Sequence, residues 1–181
     1  MDARLKTAVF ANGCFWCTEA VFTSLKGVVS VEPGYTGGQV DHPTYEQVST
    51  GETGHAEAVR LTYDPTVISY GDLLAVFFNT HDPTTLNRQG NDVGTQYRSA
   101  IFYGDAREKA AAEALVAELN ASKAYPRPVV TKVVPLGTFW EAESYHRDYY
   151  AHHPSQPYCT LVIKPKLEKL RTQFARLVNP A

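Results

Sequence analysis

The chain has 181 residues, 44% of them apolar and 20% charged, with a net charge of −2 and a pI near 6.3. This length can bury roughly 70% of the unfolded surface around a core. The near-neutral charge excludes an electrostatic binder of nucleic acid or anionic membranes. The longest uninterrupted apolar run, Leu73–Phe78, is far too short to cross a bilayer, and Met1–Lys6 lacks the apolar core of a signal peptide. The expectation is a cytoplasmic protein of one catalytic domain spanning residues 1–181, whose segment from about 154 onward carries a late cysteine. Three cysteines, Cys14, Cys17 and Cys159, are too few and too oddly numbered for a secreted disulfide framework, which leaves redox or nucleophilic use.

In chain order, Thr7–Ala11 reads as a strand that runs directly into Gly13-Cys14-Phe15-Trp16-Cys17 and a helix to Leu25. Asn12 as N-cap would put Cys14 in the first helical turn, where free N–H groups and the helix dipole favour a thiolate. Gly13 would leave room for a substrate, and the two aromatic side chains after Cys14 can wall an apolar slot beside its sulfur. Val28–Val31 is a strand entering Pro33-Gly34-Tyr35. Residues 36–54 form a long loop with one helical turn around Tyr45–Ser49, and loops of this length in a compact domain tend to carry function.

His55–Tyr63 is a strand whose period of two puts Glu57, Val59, Leu61 and Tyr63 on one face. A carboxyl group buried on that apolar face would hold its proton near neutral pH and serve as an acid. Parity leaves equally open a Glu57 at the exposed strand end or paired with an arginine. Ser69 caps an amphipathic helix to Asn79 with Leu73, Val76 and Phe77 inward. Residues 81–98 are a second long polar loop, followed by a strand over Ser99–Tyr103. A helix spans about Ala106–Ser122 behind an Asp105/Glu108 capping box. Val129–Val134 is a further strand. Glu141–His152 reads as a tyrosine-rich helix ended by Pro154, Pro154–Cys159 as a loop, and Lys166–Val178 as a helix with Leu167, Leu170, Phe174 and Leu177 on one stripe. No Gly-rich phosphate loop follows a strand. The pattern implies an α+β fold, a two-layer arrangement of a mixed sheet covered by helices with long active-site loops.

Several chemistries fit the cysteines. Cys14-x-x-Cys17 at a strand–helix junction suggests a thioredoxin-like dithiol, although only about a dozen residues precede it. Cys17 also shares a helical face with Val21 and Leu25, as a buried inert thiol would. A Cys₃His zinc site from Cys14, Cys17, Cys159 and His152 or His153 lacks the usual spacing, and His42, His55, His81 and His146 form no metal-spaced pair. His55 is the candidate base of a Cys–His hydrolase, with nothing in the sequence to indicate the pairing.

Four boxes in order narrow these alternatives: Gly13-Cys14-Phe15-Trp16, Tyr45-Glu46-Gln47-Val48, Gly54-His55-Ala56-Glu57-Ala58-Val59, and Gln89 through Arg98. With them the chain resembles the type A peptide methionine sulfoxide reductases, from the first strand through at least Tyr150. The resemblance implies reduction of the S epimer of methionine sulfoxide, free or in proteins, with no cofactor beyond an external dithiol such as thioredoxin. It implies Cys14 as nucleophile, Phe15 and Trp16 as the pocket for the sulfoxide methyl group, and Glu57 as acid. Tyr45 and Tyr97 would be the phenols that hydrogen-bond the sulfoxide oxygen, and Asp92 a carboxylate of the same polar site. A second thiol must clear the resulting sulfenic acid. Family members vary in where that thiol lies. Cys159, in its expected mobile loop, is the favoured resolver, and Cys17 the alternative or a relay.

Overall fold

The computed structural model describes residues 4–180. Its centre is a six-stranded sheet of β1 (Lys6–Asn12), β2 (Val28–Thr36), β3 (Ala56–Tyr63), β6 (Ser99–Tyr103), β7 (Lys132–Pro135) and β8 (Trp140–Glu141), in the order β7-β6-β1-β3-β2-β8. The sheet is mixed, since β6 and β7 run parallel and the other neighbours antiparallel. A separate two-strand ladder, β4 (Arg88–Gln89) and β5 (Asp92–Val93), organises the second polar loop.

Alternation along the strands decides what each sheet face meets. Ala8 and Phe10 of β1, Val59 and Leu61 of β3, and Ile101 of β6 point into the main core. Helices α1 (Phe15–Thr23), α3 (Tyr70–Asn79) and α6 (Lys164–Gln173) pack their apolar stripes there. On the opposite face Val9, Ala11, Ala56, Ala58, Ala100 and Phe102 form a smaller cluster under Val134, Leu136 and Phe139. Small alanines suit that side because a connection, rather than a helix, covers it. No helix among the described residues is long and apolar enough to cross a membrane.

The early chain follows its local signals. Ser69 and Asp72 make the reciprocal capping box that starts α3, and Thr44 and Gln47 make another at α2 (Tyr45–Ser49). At α4 (Ala106–Ala121), Asp105 caps the N–H of Glu108, while the Glu108 carboxylate accepts from Gly104 at 2.8 Å.

Beyond residue 140 the expected elements change. The single tyrosine-rich helix over 141–152 is instead β8, a 3-10 turn at Ser144–His146 and a short α5 (Tyr149–His152). Pairing of Glu141 with Gly34 takes the first of these residues into the sheet, and Asp148 in the left-handed region (φ 51°) breaks the rest. Cys159 does not lie in a loop. It begins a π-helical turn, Cys159–Ile163, that continues into α6, where its side chain is fully buried with Ile163. The last helix is shorter than expected, because the chain leaves it at Gln173 to strap back onto α1. Lys26 N–H donates to Leu177 O at 2.7 Å and Asn179 N–H to Ser24 O at 2.8 Å.

Candidate active site

The β1–α1 junction places Cys14. Gly13 has φ +112°, and a Cβ there would lie 2.9 Å from the Gln89 side chain, so the space over Gly13 is filled by Gln89 rather than left open. Asn12 is not the helix cap; its Oδ1 accepts the Thr18 hydroxyl at 2.6 Å and pins the turn from below. Cys14 itself occupies the N-cap position, its carbonyl accepting the N–H groups of Cys17 and Thr18, and its thiol sits at the positive end of α1. Cys14 is 8% exposed, so a substrate reaches it only through a narrow opening.

Glu57 lies opposite, on the inward face of β3 in register with Tyr35. Its Oε1 accepts the Phe15 N–H at 3.1 Å, taking up one of the free donors of the first turn of α1, while Oε2 is buried without a partner. Burial, with the charges of Asp92 and Cys17, pushes this carboxyl up to about 8, against the pull of the Phe15 N–H. At neutral pH Glu57 is therefore a protonated acid whose second oxygen has no competing protein partner. Neither the solvent-exposed strand end nor the arginine pair applies, since Glu57 is 1% exposed and Arg60 is committed to Glu32 and Glu141.

Tyr45 and Tyr97 arrive from the two long loops. Burial raises Tyr45 to about 12 and Tyr97 higher, and the charges of Glu57 and Cys14 act on both phenols. They stay neutral donors near the reacting pair. Trp16 forms the other wall. Its Nε1–H donates to His146 Nδ1 at 3.0 Å, and its ring stacks on Tyr149 at 3.8 Å and 7°. Phe15 is 0% exposed and backs the slot against Tyr35, Tyr45 and His146.

The N-cap thiol of Cys14 and the Cys17 thiol in the first turn of α1 act on one another. Burial and a hydrogen bond given to Cys17 hold the Cys14 thiol well above its usual range, whereas the bond from Cys14 brings Cys17 down to about 7. Cys17 rather than Cys14 therefore ionises near neutrality, and the thiolate expected at Cys14 from its place at the helix start is not the resting state, because burial and the neighbouring Cys17 keep its proton on. Tyr158 lies against them: its hydroxyl is 3.3 Å from Cys17 Sγ and donates to Asp92 Oδ2 at 2.9 Å. One hydroxyl proton serves two acceptors, so Tyr158 can turn from Asp92 to a thiolate when the pair ionises. Burial, and then the charge of nearby Cys17, raise the Cys159 thiol.

The structure therefore brings together Cys14, Glu57, Tyr45, Tyr97, Asp92 and Trp16, with Cys17 beside Cys14 and Cys159 behind. Sequence reasoning missed Glu143, His146, Tyr149 and Tyr158. Glu143 ties Tyr35 Oη and the Tyr45 N–H together at 2.9 Å each and so fixes the start of α2. All four lie beyond residue 140, where the density of tyrosines is the one available signal; it reads as a helix over 141–152 with Tyr158 in the loop after it, and says nothing of which side chains meet α1. His81 and His55 are structural: His81 bonds Phe77 O and Ser99 Oγ, and His55 bonds Val40 O and Gly38 N–H, which commits both of its ring nitrogens. Among the described residues no group of three or more His, Cys, Asp or Glu could hold a metal ion.

A sequence profile described as "Peptide methionine sulfoxide reductase" matches residues 6–177. The chain belongs to this family. It is 57% identical over 173 residues to the peptide methionine sulfoxide reductase MsrA of Thermus thermophilus, covering 96% of this chain and 97% of that one. It is 55% identical over 174 residues to the MsrA of Sulfolobus acidocaldarius, covering 94% and 96%. Among solved structures, Mxr1 from Saccharomyces cerevisiae in reduced form superposes with a TM-score of 0.81 at 32% identity, covering 88% of this chain and 91% of that one.

Proposed function

We propose that residues 1–181 act as one catalytic domain that reduces methionine-S-sulfoxide, free or in oxidised proteins, to methionine in a thiol-dependent repair reaction. The observation that carries this reading is the buried, protonated Glu57, bonded through Oε1 to the N–H of the residue after Cys14, with Oε2 unpaired, and near enough to Cys14, Tyr45 and Tyr97 to act on all three. A sulfoxide sulfur accepts a nucleophile only when negative charge on its oxygen is stabilised. Three donors converging in a partly dry pocket supply that stabilisation.

Membership of the family and the site geometry support the following course. The methyl group sits against Trp16, with Phe15 behind it, and the oxygen between Glu57, Tyr45 and Tyr97. The Cys14 thiol passes its proton to the Cys17 thiolate and attacks sulfur, the oxygen takes a proton from Glu57, and breakdown releases methionine and leaves Cys14 as a sulfenic acid. A second thiol then attacks the Cys14 sulfur, forming a disulfide and expelling water. Cys17 is in contact with Cys14 in the reduced protein, while Cys159 is held in a helical turn. We therefore assign Cys17 the role of relay and Cys159 that of the thiol that finally carries the disulfide outward, after its turn unwinds. Asp92 holds Tyr158, which in turn steadies the thiolate. An external dithiol, thioredoxin or a similar protein, returns two electrons and two protons, with no bound cofactor. Three free thiols suit a cytoplasmic, reducing setting.

With a dithiol reductant the protein is expected to consume the S epimer of methionine sulfoxide and to spare the R epimer. No turnover, or activity that survives Cys14→Ser, would overturn the reading. Cys159→Ser is expected to release one methionine per enzyme and then stall with thioredoxin. Full thioredoxin-linked turnover in that variant would make Cys17 the resolving thiol.

A further inference from the structure

Charge is unevenly spread along this chain. Residues 154–181 hold five of its 17 cations, Lys164, Lys166, Lys169, Arg171 and Arg176, and one of its 19 acids, Glu168. Two of those cations, Lys166 and Lys169, meet Arg127 around a hollow of about 380 Å³ that Asp82, Thr84 and Tyr125 also line. Glu168 does not line it. None of the three cations lies within ion-pair distance of a carboxylate among the described residues, where the ion pairs involve only Arg60 and Arg147. Lys123 extends the positive rim into an adjoining hollow shared with Arg127.

This basin adjoins the thiols. Asp82 at its edge exchanges two backbone–side-chain bonds with Gln89, at 3.0 and 2.9 Å, and Gln89 lies over Gly13, next to Cys14. Lys166 stands seven residues after Cys159 on the continuous helical run and acts on Cys17 through its charge. The substrate walls, Trp16, Tyr45 and Tyr149, are built from α1, α2 and α5 instead, and none of them lines the basin.

We propose that the basin of Arg127, Lys166 and Lys169 is the docking surface for the reductant, an acidic dithiol protein whose carboxylates pair with these cations beside the Cys159 helix. The proposal rests on the reading above that Cys159 carries the disulfide to be opened. A thiolate of the docked protein attacks one sulfur of that disulfide, forming a mixed disulfide and expelling an enzyme thiolate. Its second thiol then closes the partner's own disulfide and expels the other enzyme sulfur. The partner loses two electrons and two protons, and the enzyme gains two thiols. A field of unpaired cations raises the rate of encounter with an anionic partner and fixes its orientation, and it leaves a small neutral dithiol unaffected.

The test compares wild type with Arg127→Glu/Lys169→Glu, two exposed positions away from the reacting groups. The substrate is free methionine sulfoxide, and either a thioredoxin of net negative charge or dithiothreitol is the reductant. Expected at low ionic strength is a fall of about tenfold or more in kcat/KM for thioredoxin, with unchanged turnover on dithiothreitol, which also reports intact folding. The wild-type advantage should shrink with added salt. Unchanged kcat/KM for thioredoxin would overturn the proposal, as would an equal loss with both reductants. The underlying reading fails separately: Cys159→Ser that turns over fully with thioredoxin removes the role of Cys159, whereas a stalled Cys159→Ser beside an unaffected charge variant removes the docking surface alone.

Discussion

Replacing Glu57 by glutamine isolates the proton that the site is built to hold. The change keeps the shape and the bond from Phe15 N–H to Oε1, and removes only the ability to ionise. Burial raises this carboxyl from its ordinary 4.5 to about 8 in the folded protein, so between those values the unfolded chain has released the proton while the folded chain keeps it. Folding stability contributed by this group is then fully present below pH 4.5 and is lost as pH rises toward 8, with a slope of at most about 1.4 kcal/mol per pH unit. Over the whole window the ceiling is ~5 kcal/mol, and the relaxation of a real site reduces it. Glutamine has no such slope. Urea denaturation of both reduced proteins from pH 5 to 8 should therefore show stability tilting steadily toward Glu57→Gln as pH rises. The titrations of other groups, including the thiol pair, occur in both proteins and largely cancel in the difference. Parallel stability curves across that range would refute the reasoning, because they would mean that Glu57 ionises at its ordinary pH. The same proton governs rate: wild-type activity should fall as pH passes about 8. Glu57→Gln should keep partial activity by donating a hydrogen bond, and Glu57→Ala should lose on the order of 10²–10⁴-fold.

Removing the Tyr158 hydroxyl with Tyr158→Phe takes away a donor to the thiolate and should raise the neutral-range ionisation of the Cys14/Cys17 pair by about one pH unit. The pH dependence of iodoacetamide alkylation reads this directly, and an unmoved profile would contradict the contact between Tyr158 and the thiols. Gly13→Ala introduces a Cβ 2.9 Å from Gln89 at φ +112°, and should cost about 2–4 kcal/mol in a urea melt. A loss below about 0.5 kcal/mol would mean that the Gln89 cover moves aside at little cost.

The local part of this protein was legible in its residues. Alternation in β3 put Glu57 on the apolar face while leaving its burial open, Ser69 and Asp105 marked their helices, and the strand–Gly13–Cys14–helix junction offered Cys14 as the candidate nucleophile. Each of these depends on neighbours within a few positions, where backbone geometry leaves few choices. The boxes around Tyr45 and Gln89–Arg98 named further site residues through family resemblance, although no periodicity in either loop says where its side chains point.

Tertiary contacts decided the rest. Whether residues 141–152 are a helix depends on β2 offering an edge to Glu141 and on the left-handed break at Asp148, neither of which any window of sequence contains. Cys159 was expected in a mobile loop because prolines bound it, yet packing against the main core draws it into a helical turn, since burying an apolar thiol and Ile163 outweighs the local preference for a turn. His146, Tyr149 and Tyr158 join the site across 130 or more positions because Trp16 needs a partner for its N–H and its ring face, and the thiol pair needs a polar neighbour. The sequence by itself determined that a cysteine would stand at a strand–helix junction, where we propose the reactive group. The fold determined which thiol stands beside it and which waits behind, because proximity between sulfurs is set by how the C-terminal segment packs on α1.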